Sequence, residues 1–433
     1  MFGCRKQRHG IHFACFKLPG SHISGKPFPT NQVMLIKRSK KDIFEYKIAY
    51  ISDQRFPVRN ATSEQVINTV SALASEGVDI ALIIPRKWEK FSASKKLLKE
   101  ELMNFYTVNN GFDICRLIHL PLPVKSEKVS HGLIAPVFAN FTNHEIVYTR
   151  NFLPALLSVR IGKKVIFETF HVFDLFRTNI VKHLARLSHS PNFLSIITHS
   201  IPSKESLINA GVVGEKVKVI HNGFNSESLR PRLTKTDARR KLGWNENEKI
   251  VCYAGRIDAD KGINTILDLA ERTPEIKYVL IGYSEKNPDN WILNSASEKG
   301  VKNIDWFPWT KTNELAKFLF ASDVLIIPPT ATPLSKFGRT VLPMKTFIYM
   351  AVGRCILAPS LPDTADVLNE QNTALVEPDN LDLVTATIRR VFKDDAWRNS
   401  LEKQAQLDSK NYTWQSRAKK IIAWTNECLS RVK

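Results

Sequence analysis

The sequence predicts an α/β chain of two doubly wound, parallel-sheet domains, on three observations. The chain has 433 residues, more than one ordinary hydrophobic core organises, so two domains are expected. Short apolar runs of strand length alternate with amphipathic helical runs through both halves, the pattern of βαβ units with right-handed crossovers. Finally, residues 254–262 read AGRIDADKG, which places a glycine and two cations at a strand-to-helix junction, where open α/β sheets take their ligands.

The elements follow in order. Residues 1–44 read as a basic, low-order N-terminal extension. Up to position 41 it holds nine Lys/Arg and no Asp or Glu, and glycines and prolines interrupt any periodicity. Two readings stand: a basic anchor, or residues ahead of a true start at Met34. A strand is expected at 46–51, then the loop DQRFPVRNAT, then a helix over 63–76. Val66, Ile67, Val70, Leu73 and Ala74 form its stripe, Thr62 with Gln65 its capping box, and Gly77 its stop. Strands at 79–84, 145–149, 164–169, 193–199 and 216–221 complete a Rossmann-like domain over 45–222. The polar stretch 225–248 reads as a linker or the start of the next domain.

The second domain, 223–408, has strands at 250–254, 277–282, 303–307, 324–328, 355–358 and 373–376. Its helices are expected at 263–272, 314–321, 343–352 and after position 381. An amphipathic helix at about 414–431, in the segment 409–433, is expected to cross back to the first domain.

Composition excludes several classes. The hydrophobic share is 43%, ordinary for a globular protein, and no apolar run approaches the ~20 residues that span a bilayer. The first thirty residues lack a clean signal peptide, because His12, Lys17 and Pro19 break the apolar stretch. The six cysteines form no C-x-x-C pair, so no zinc or thioredoxin-like motif is indicated. They read as small buried residues of a reducing, cytoplasmic compartment. The formal charge of +20 suits acidic partners in general: phosphorylated substrates, an anionic membrane or nucleic acid. The order of motifs does not fit a nucleic-acid binder.

The chemistry gathers at strand ends. Arg256 and Lys261 flank one such end and are placed to clamp a diphosphate; cations there help most as a leaving diphosphate gains charge. The ordered strings carry a resemblance. VIHNGF at 219–224, AGRIDADKG at 254–262, YVLIGY at 278–283, FASDVLIIPP at 320–329 and LPMKTFIYMAVGRCILAP at 342–359 run through the second half. Residues 56–85, VYTRN at 147–151 and FETFH at 167–171 accompany them in the first. Together they resemble retaining GT-B glycosyltransferases of family 4 (group 1), over about residues 46–430.

The resemblance implies a fold, a reaction and roles. The fold is GT-B, two Rossmann-like domains facing across a cleft. The reaction moves a sugar, with retention, from a nucleotide-sugar donor to a glycan or lipid-linked acceptor, as in polysaccharide or glycoconjugate synthesis in bacteria. His171, Arg256 and Lys261 would act in catalysis. Gly255, Gly282, Ser284, Trp309, Thr310, Thr340, Met344 and Lys345 would join Arg256 and Lys261 in holding the donor, with Pro343 in the first turn of its helix. Arg55, Arg59, Asn60 and Arg150 are acceptor or loop candidates. No metal and no further cofactor is expected. The basic stretch around Arg177–Arg186 is a candidate for peripheral contact with an anionic membrane.

One departure stands out. The family's two glutamates, eight positions apart, fall here on Thr340 and Ile348. Lost charge-assisted bonds to a ribose diol cost ~1.5–3 kcal/mol each, so Ser335 or Lys336 is a candidate replacement. The competing readings are a catalytically degenerate GT-B scaffold and a sugar-nucleotide epimerase.

Overall fold

The computed structural model describes residues 44–86, 94–109, 111–118, 124–173, 178–284, 291–332, 334 and 342–432. The basic extension lies outside the described residues, as do Arg177, Ser335, Lys336 and Thr340. Two parallel sheets form the core of the molecule. The first has the order β3-β2-β1-β4-β5-β6-β7, with β1 Ile48–Ile51, β2 Ile80–Pro85, β3 Asp113–Leu117, β4 Ile146–Thr149, β5 Lys164–Thr169, β6 Phe193–Thr198 and β7 Val217–Val219. β1, β2 and β6 are buried at every position, because helices cover both faces and alternation disappears.

On one face lie α1 (Ala61–Ser75) and α2 (Lys95–Tyr106). On the other lie α3 (Val124–Phe141), α4 (Phe152–Arg160), α5 (Thr178–Ser188) and α6 (Ile201–Asn209). α1 corrects the expected capping box. It starts two residues early, and Asn60, not Thr62, is its N-cap, with Oδ1 accepting from the Ser63 amide at 2.7 Å. The sequence reading placed no element between 85 and 145. The structure puts α2, β3 and α3 there: β3 is a short edge strand with polar residues, and Pro136 inside α3 interrupts the helical pattern.

The second sheet has the order β10-β9-β8-β11-β12-β13, with β8 Ile250–Ala254, β9 Lys277–Ile281, β10 Ile304–Phe307, β11 Val324–Ile326, β12 Cys355–Pro359 and β13 Ala374–Val376. Its helices are α7 (Lys235–Leu242), α8 (Ile263–Arg272), α9 (Trp291–Glu298), α10 (Thr312–Ala321), α11 (Lys345–Val352), α12 (Leu381–Lys393) and α13 (Asp395–Ser409). The last helix, α14 (Trp414–Ser430), packs on the first sheet's core through Trp414, Ala418, Ile421 and Trp424.

The chain therefore crosses between the sheets twice, and the two crossings touch. The Phe224 amide donates to the Tyr412 carbonyl at 3.0 Å and the Trp414 amide to the Phe224 carbonyl at 3.2 Å. Gly223 makes this approach possible, since a Cβ there would sit 2.7 Å from the Tyr412 oxygen.

Candidate functional site

The cradle at the C-terminal end of β8 is built from glycines. β8 is an apolar strand that delivers Gly255, at φ 147°, directly into the loop. Gly282 follows β9 at φ 155°, and a Cβ there would overlap the Gly255 carbonyl oxygen. A Cβ on Gly255 would lie 2.5 Å from Lys345 Nζ. Both positions thus need glycine for backbone conformation and for space. Gly262, at φ 76°, starts α8, and a Cβ there would strike Thr330 and Pro328.

Two cations, Arg256 and Lys345, lie against this backbone, and they differ in what holds them. Arg256 Nε lies 2.8 Å from buried Asp258, and its terminal nitrogen 3.3 Å from Asp260. Ser284 donates to Asp258, and the Tyr253 hydroxyl donates to the Arg256 carbonyl at 2.7 Å. Arg256 is therefore fixed in place and already paired with carboxylates. Lys345, half-buried at the first position of α11, instead places Nζ 3.6 Å from the centre of the Tyr253 ring. No carboxylate among the described residues pairs with it. Burial, reinforced by repulsion from Lys261, holds its ammonium well below the ordinary lysine range. Lys345 thus has a π face as its neighbour and a charged form that burial disfavours.

The remaining donor candidates divide. Met344 precedes α11 and packs against the first sheet's core. Pro343 also lies ahead of the helix, accepting from the Thr346 amide at 3.0 Å, rather than in its first turn. Thr310 sits in the loop between β10 and α10. The ring of Trp309 is engaged across the domain boundary: the Arg59 guanidinium lies 4.6 Å from its centre and Phe105 of α2 stacks at 5.9 Å. The Tyr283 hydroxyl donates to the Arg59 carbonyl at 2.5 Å. These contacts show that the C-terminal strand ends of the two sheets meet. Ile348 packs in the second sheet's apolar cluster, where a carboxylate would need a partner.

In the first domain the candidate side chains are mostly bound by neighbouring residues. Arg55 Nε donates to Glu127 of α3 at 2.8 Å. Asn60 is occupied as the α1 cap. Arg150 donates to Gln65 at 2.8 Å and lies 5.1 Å from the Phe170 ring centre. His171 stands at the end of β5. Its amide donates to Thr169 Oγ1 at 3.1 Å, its carbonyl accepts from Ser203 at 2.8 Å, and its ring lies against Phe170.

Beneath His171 is a group the sequence reading did not single out. Fully buried Glu168 accepts from Gln65 and His199 at 2.5 Å each and from Arg417 of α14 at 2.6 Å. Despite its burial, Arg417 holds the carboxyl far below the usual range. The other terminal nitrogen of Arg417 donates to the carbonyls of Ile220 at 2.5 Å and His221 at 2.8 Å. One guanidinium thus ties the last helix, the crossing segment and β5 together. His199 donates from Nε2 to the carboxylate, and its Nδ1 accepts from Asn222 at 3.2 Å, which fixes the tautomer. Burial pushes its imidazole down to about 4. The available signal was a glutamate inside an apolar strand, KVIFET, since carboxylates are buried only when paired.

Comparison with known proteins adds identity to this geometry. Residues 234–408 match the family described as Glycosyl transferases group 1. This segment, about two fifths of the chain, is similar to that family's domain. The chain is 26% identical over 250 residues to an uncharacterized glycosyltransferase of Methanocaldococcus jannaschii, covering 54% of this chain and 62% of that protein. It is 23% identical over 244 residues to the sulfoquinovosyl transferase of Arabidopsis thaliana, covering 55% and 45%. It is 36% identical over 143 residues to the alpha-galactosylglucosyldiacylglycerol synthase of Streptococcus pneumoniae, covering 32% and 37%. In each case the match spans less than two thirds of the relative. Among solved structures, Anabaena HepE in complex with UDP superposes with a TM-score of 0.69 at 15% identity, covering 89% of this chain and all of that one. Sucrose-phosphate synthase from Thermosynechococcus elongatus gives 0.71 at 17%, with the same coverage. The fold is GT-B, two Rossmann-like domains with parallel sheets. Among the described residues, no helix is long and apolar enough to cross a membrane.

Proposed function

We propose that the chain is a retaining, family 4-type glycosyltransferase that moves a sugar from a nucleotide donor to a glycan or lipid-linked acceptor. The observation that carries this reading is the β8 cradle. Two glycines clear space beside the backbone, Arg256 is braced by Asp258 and Asp260, and Lys345 offers a charge that no described carboxylate neutralises. A diphosphate seated there would face Lys345, with Lys261 and Arg256 close by. Its developing negative charge would be met by fixed cations without a metal ion. His171, at the end of β5, would face the transferred sugar from the first domain, and the acceptor would enter beside the β1 and β4 loops. The reading includes work at the cytoplasmic face of a membrane in polysaccharide or glycoconjugate synthesis. HepE was solved with UDP and with UDP-glucose, so uridine nucleotides are the first probes.

The test is a thermal-shift panel of nucleoside diphosphates and nucleotide sugars on the wild type and on Arg256→Ala, Lys261→Ala and Lys345→Ala. A ligand at a hundred times its Kd stabilises by ~2.7 kcal/mol. One nucleotide should raise Tm, and the three variants should lose that rise. A flat panel at millimolar ligand would overturn the reading. A second reading, a GT-B binding protein without turnover, draws on Ile348, which packs among apolar side chains where the family carries a carboxylate. Nucleotide binding without donor turnover or hydrolysis would favour it.

A further inference from the structure

The hydrogen bonds around Glu168 continue toward the C-terminal edge of the first sheet. Gln65 of α1 is buried, and its Nε2 donates to Glu168 at 2.5 Å and to Thr69 Oγ1 at 3.1 Å. With both amide hydrogens engaged, Oε1 faces the other way, where it accepts from Arg150 at 2.8 Å. An ionised carboxylate only accepts hydrogen bonds. Glu168 therefore selects one of the two orientations of the Gln65 amide, the one that presents an acceptor to Arg150.

Arg150 carries this arrangement to the half-buried ends of the strands. It follows β4 as Phe170 follows the neighbouring β5. Its guanidinium lies 5.1 Å from the Phe170 ring centre, within cation–π range. On the same ring His199 stacks at 6.3 Å and 28°, and His199 itself donates to Glu168. The His171 ring lies against Phe170 with 4.2 Å between centres. An ion pair that only held α14 would end at Arg417. Here two branches, through Gln65 with Arg150 and through His199, lead away from α14 and meet at one aromatic ring, the neighbour of His171.

We propose that Glu168 is a positioning residue for His171. Through its two branches it sets the Phe170 ring that the imidazole lies against. Through Arg417, which also binds the Ile220 and His221 carbonyls, it makes that setting depend on how α14 sits under the crossing segment. The ring placement stands on these contacts alone. Only its effect on catalysis rests on the glycosyl-transfer reading, in which His171 faces the transferred sugar and a misplacement of about 1 Å costs up to roughly a hundredfold in rate.

The full chain, isotope-labelled at histidine Cε1, would be followed by NMR, with the His171 resonance assigned by its loss in His171→Gln. Phe170→Leu removes the ring current and should shift that resonance by more than a linewidth. Gln65→Met and the double variant Glu168→Gln/Arg417→Met should shift it as well. Arg150→Met should do the same, with Arg150→Lys, which keeps a cation near the ring, closer to wild type. Ile421→Ala controls for general loosening: it trims a buried α14 side chain in the same core and should lower stability in denaturant melts while leaving the resonance in place. A resonance unmoved in both Gln65→Met and the double variant would overturn the inference, as would one that moves equally far in Ile421→Ala. With UDP-glucose as the probe donor, kcat for its hydrolysis should fall about tenfold in Gln65→Met with KM little changed. A rise in KM at constant kcat would put Gln65 in donor binding and overturn the positioning role. A wild type that hydrolyses no UDP-glucose would remove the catalytic consequence, and the resonance would still decide the ring placement.

Discussion

The two sheets share a doubly wound topology and treat charge in opposite ways. In the first domain, nearly every candidate group at the strand ends is bound by another: Arg55 by Glu127, Asp53 by Lys128, Arg150 by Gln65, and Glu168 by Arg417 and His199. In the second, the glycine cradle at β8 holds Lys345 over an aromatic ring with no described carboxylate. A neutralised cluster holds structure, and an uncompensated one costs stability until an anion arrives. The comparison therefore gives the first set of strand ends an anchoring role, whereas in the second Lys345 stands beside a glycine cradle with no described carboxylate partner.

The sharpest test is to break the anchor. Arg417→Met leaves Glu168 buried without its main counter-charge, and about 3–5 kcal/mol of stability should be lost in denaturant melts. Adding Glu168→Gln should recover part of it, and failure to recover would mean that the loss is only packing. In the second domain, Gly282→Ala drives a Cβ into the Gly255 carbonyl. It should cost about 2–4 kcal/mol and abolish the nucleotide thermal shift. An unchanged melt would show that the cradle is not tight.

The pH dependence separates the clusters further. His199 is held near 4 against about 6.5 in an unfolded chain. Between those values the unfolded chain binds the extra proton, so stability rises with pH across the window and levels off above it. Glu168, depressed in the folded state, contributes stability that is present above the unfolded carboxylate range and lost in stronger acid. His199→Gln should flatten the plot of Tm against pH between about 4 and 6.5, while a curve unchanged by the substitution would assign the acid sensitivity elsewhere.

Lys345 should behave oppositely to Arg417. Lys345→Met removes an uncompensated ammonium, so stability should hold or rise, while nucleoside diphosphate affinity falls about tenfold or more. Because a bound diphosphate favours the charged amine and the free site depresses it, wild-type affinity should weaken as pH rises. The variant should lack that trend. Calorimetric titrations at several pH values decide it. The smallest effect belongs to the domain contact. Arg59→Ala removes a cation–π contact of about 0.5–1 kcal/mol and should slightly open the two domains in small-angle scattering.

Strand-and-helix alternation was legible because burial of both sheet faces leaves continuous apolar runs, and the strands at 164–169 and 250–254 fall where those runs lie. The β8 loop was equally legible, since a glycine followed by cations before a helix is a local signal. The region between 85 and 145 was not: β3 is a short edge strand and α3 carries Pro136 with its large apolar residues turned outward. Asn60 was read as a ligand candidate because a capping side chain and a binding side chain have the same local sequence. Trp309 illustrates the same limit, since its partners Arg59 and Phe105 lie more than 200 positions away.

By itself, the sequence determined the two-sheet architecture, the order of elements around β8 and the cationic character of its loop, because periodicity and backbone demands act over a few neighbouring residues. Tertiary structure alone decided which charges are spent and which remain. That Glu168 meets Arg417, 249 positions away, while Lys345 lies over a tyrosine ring, depends on how distant segments are brought together. Coulomb energy follows distance in space and burial, not spacing along the chain.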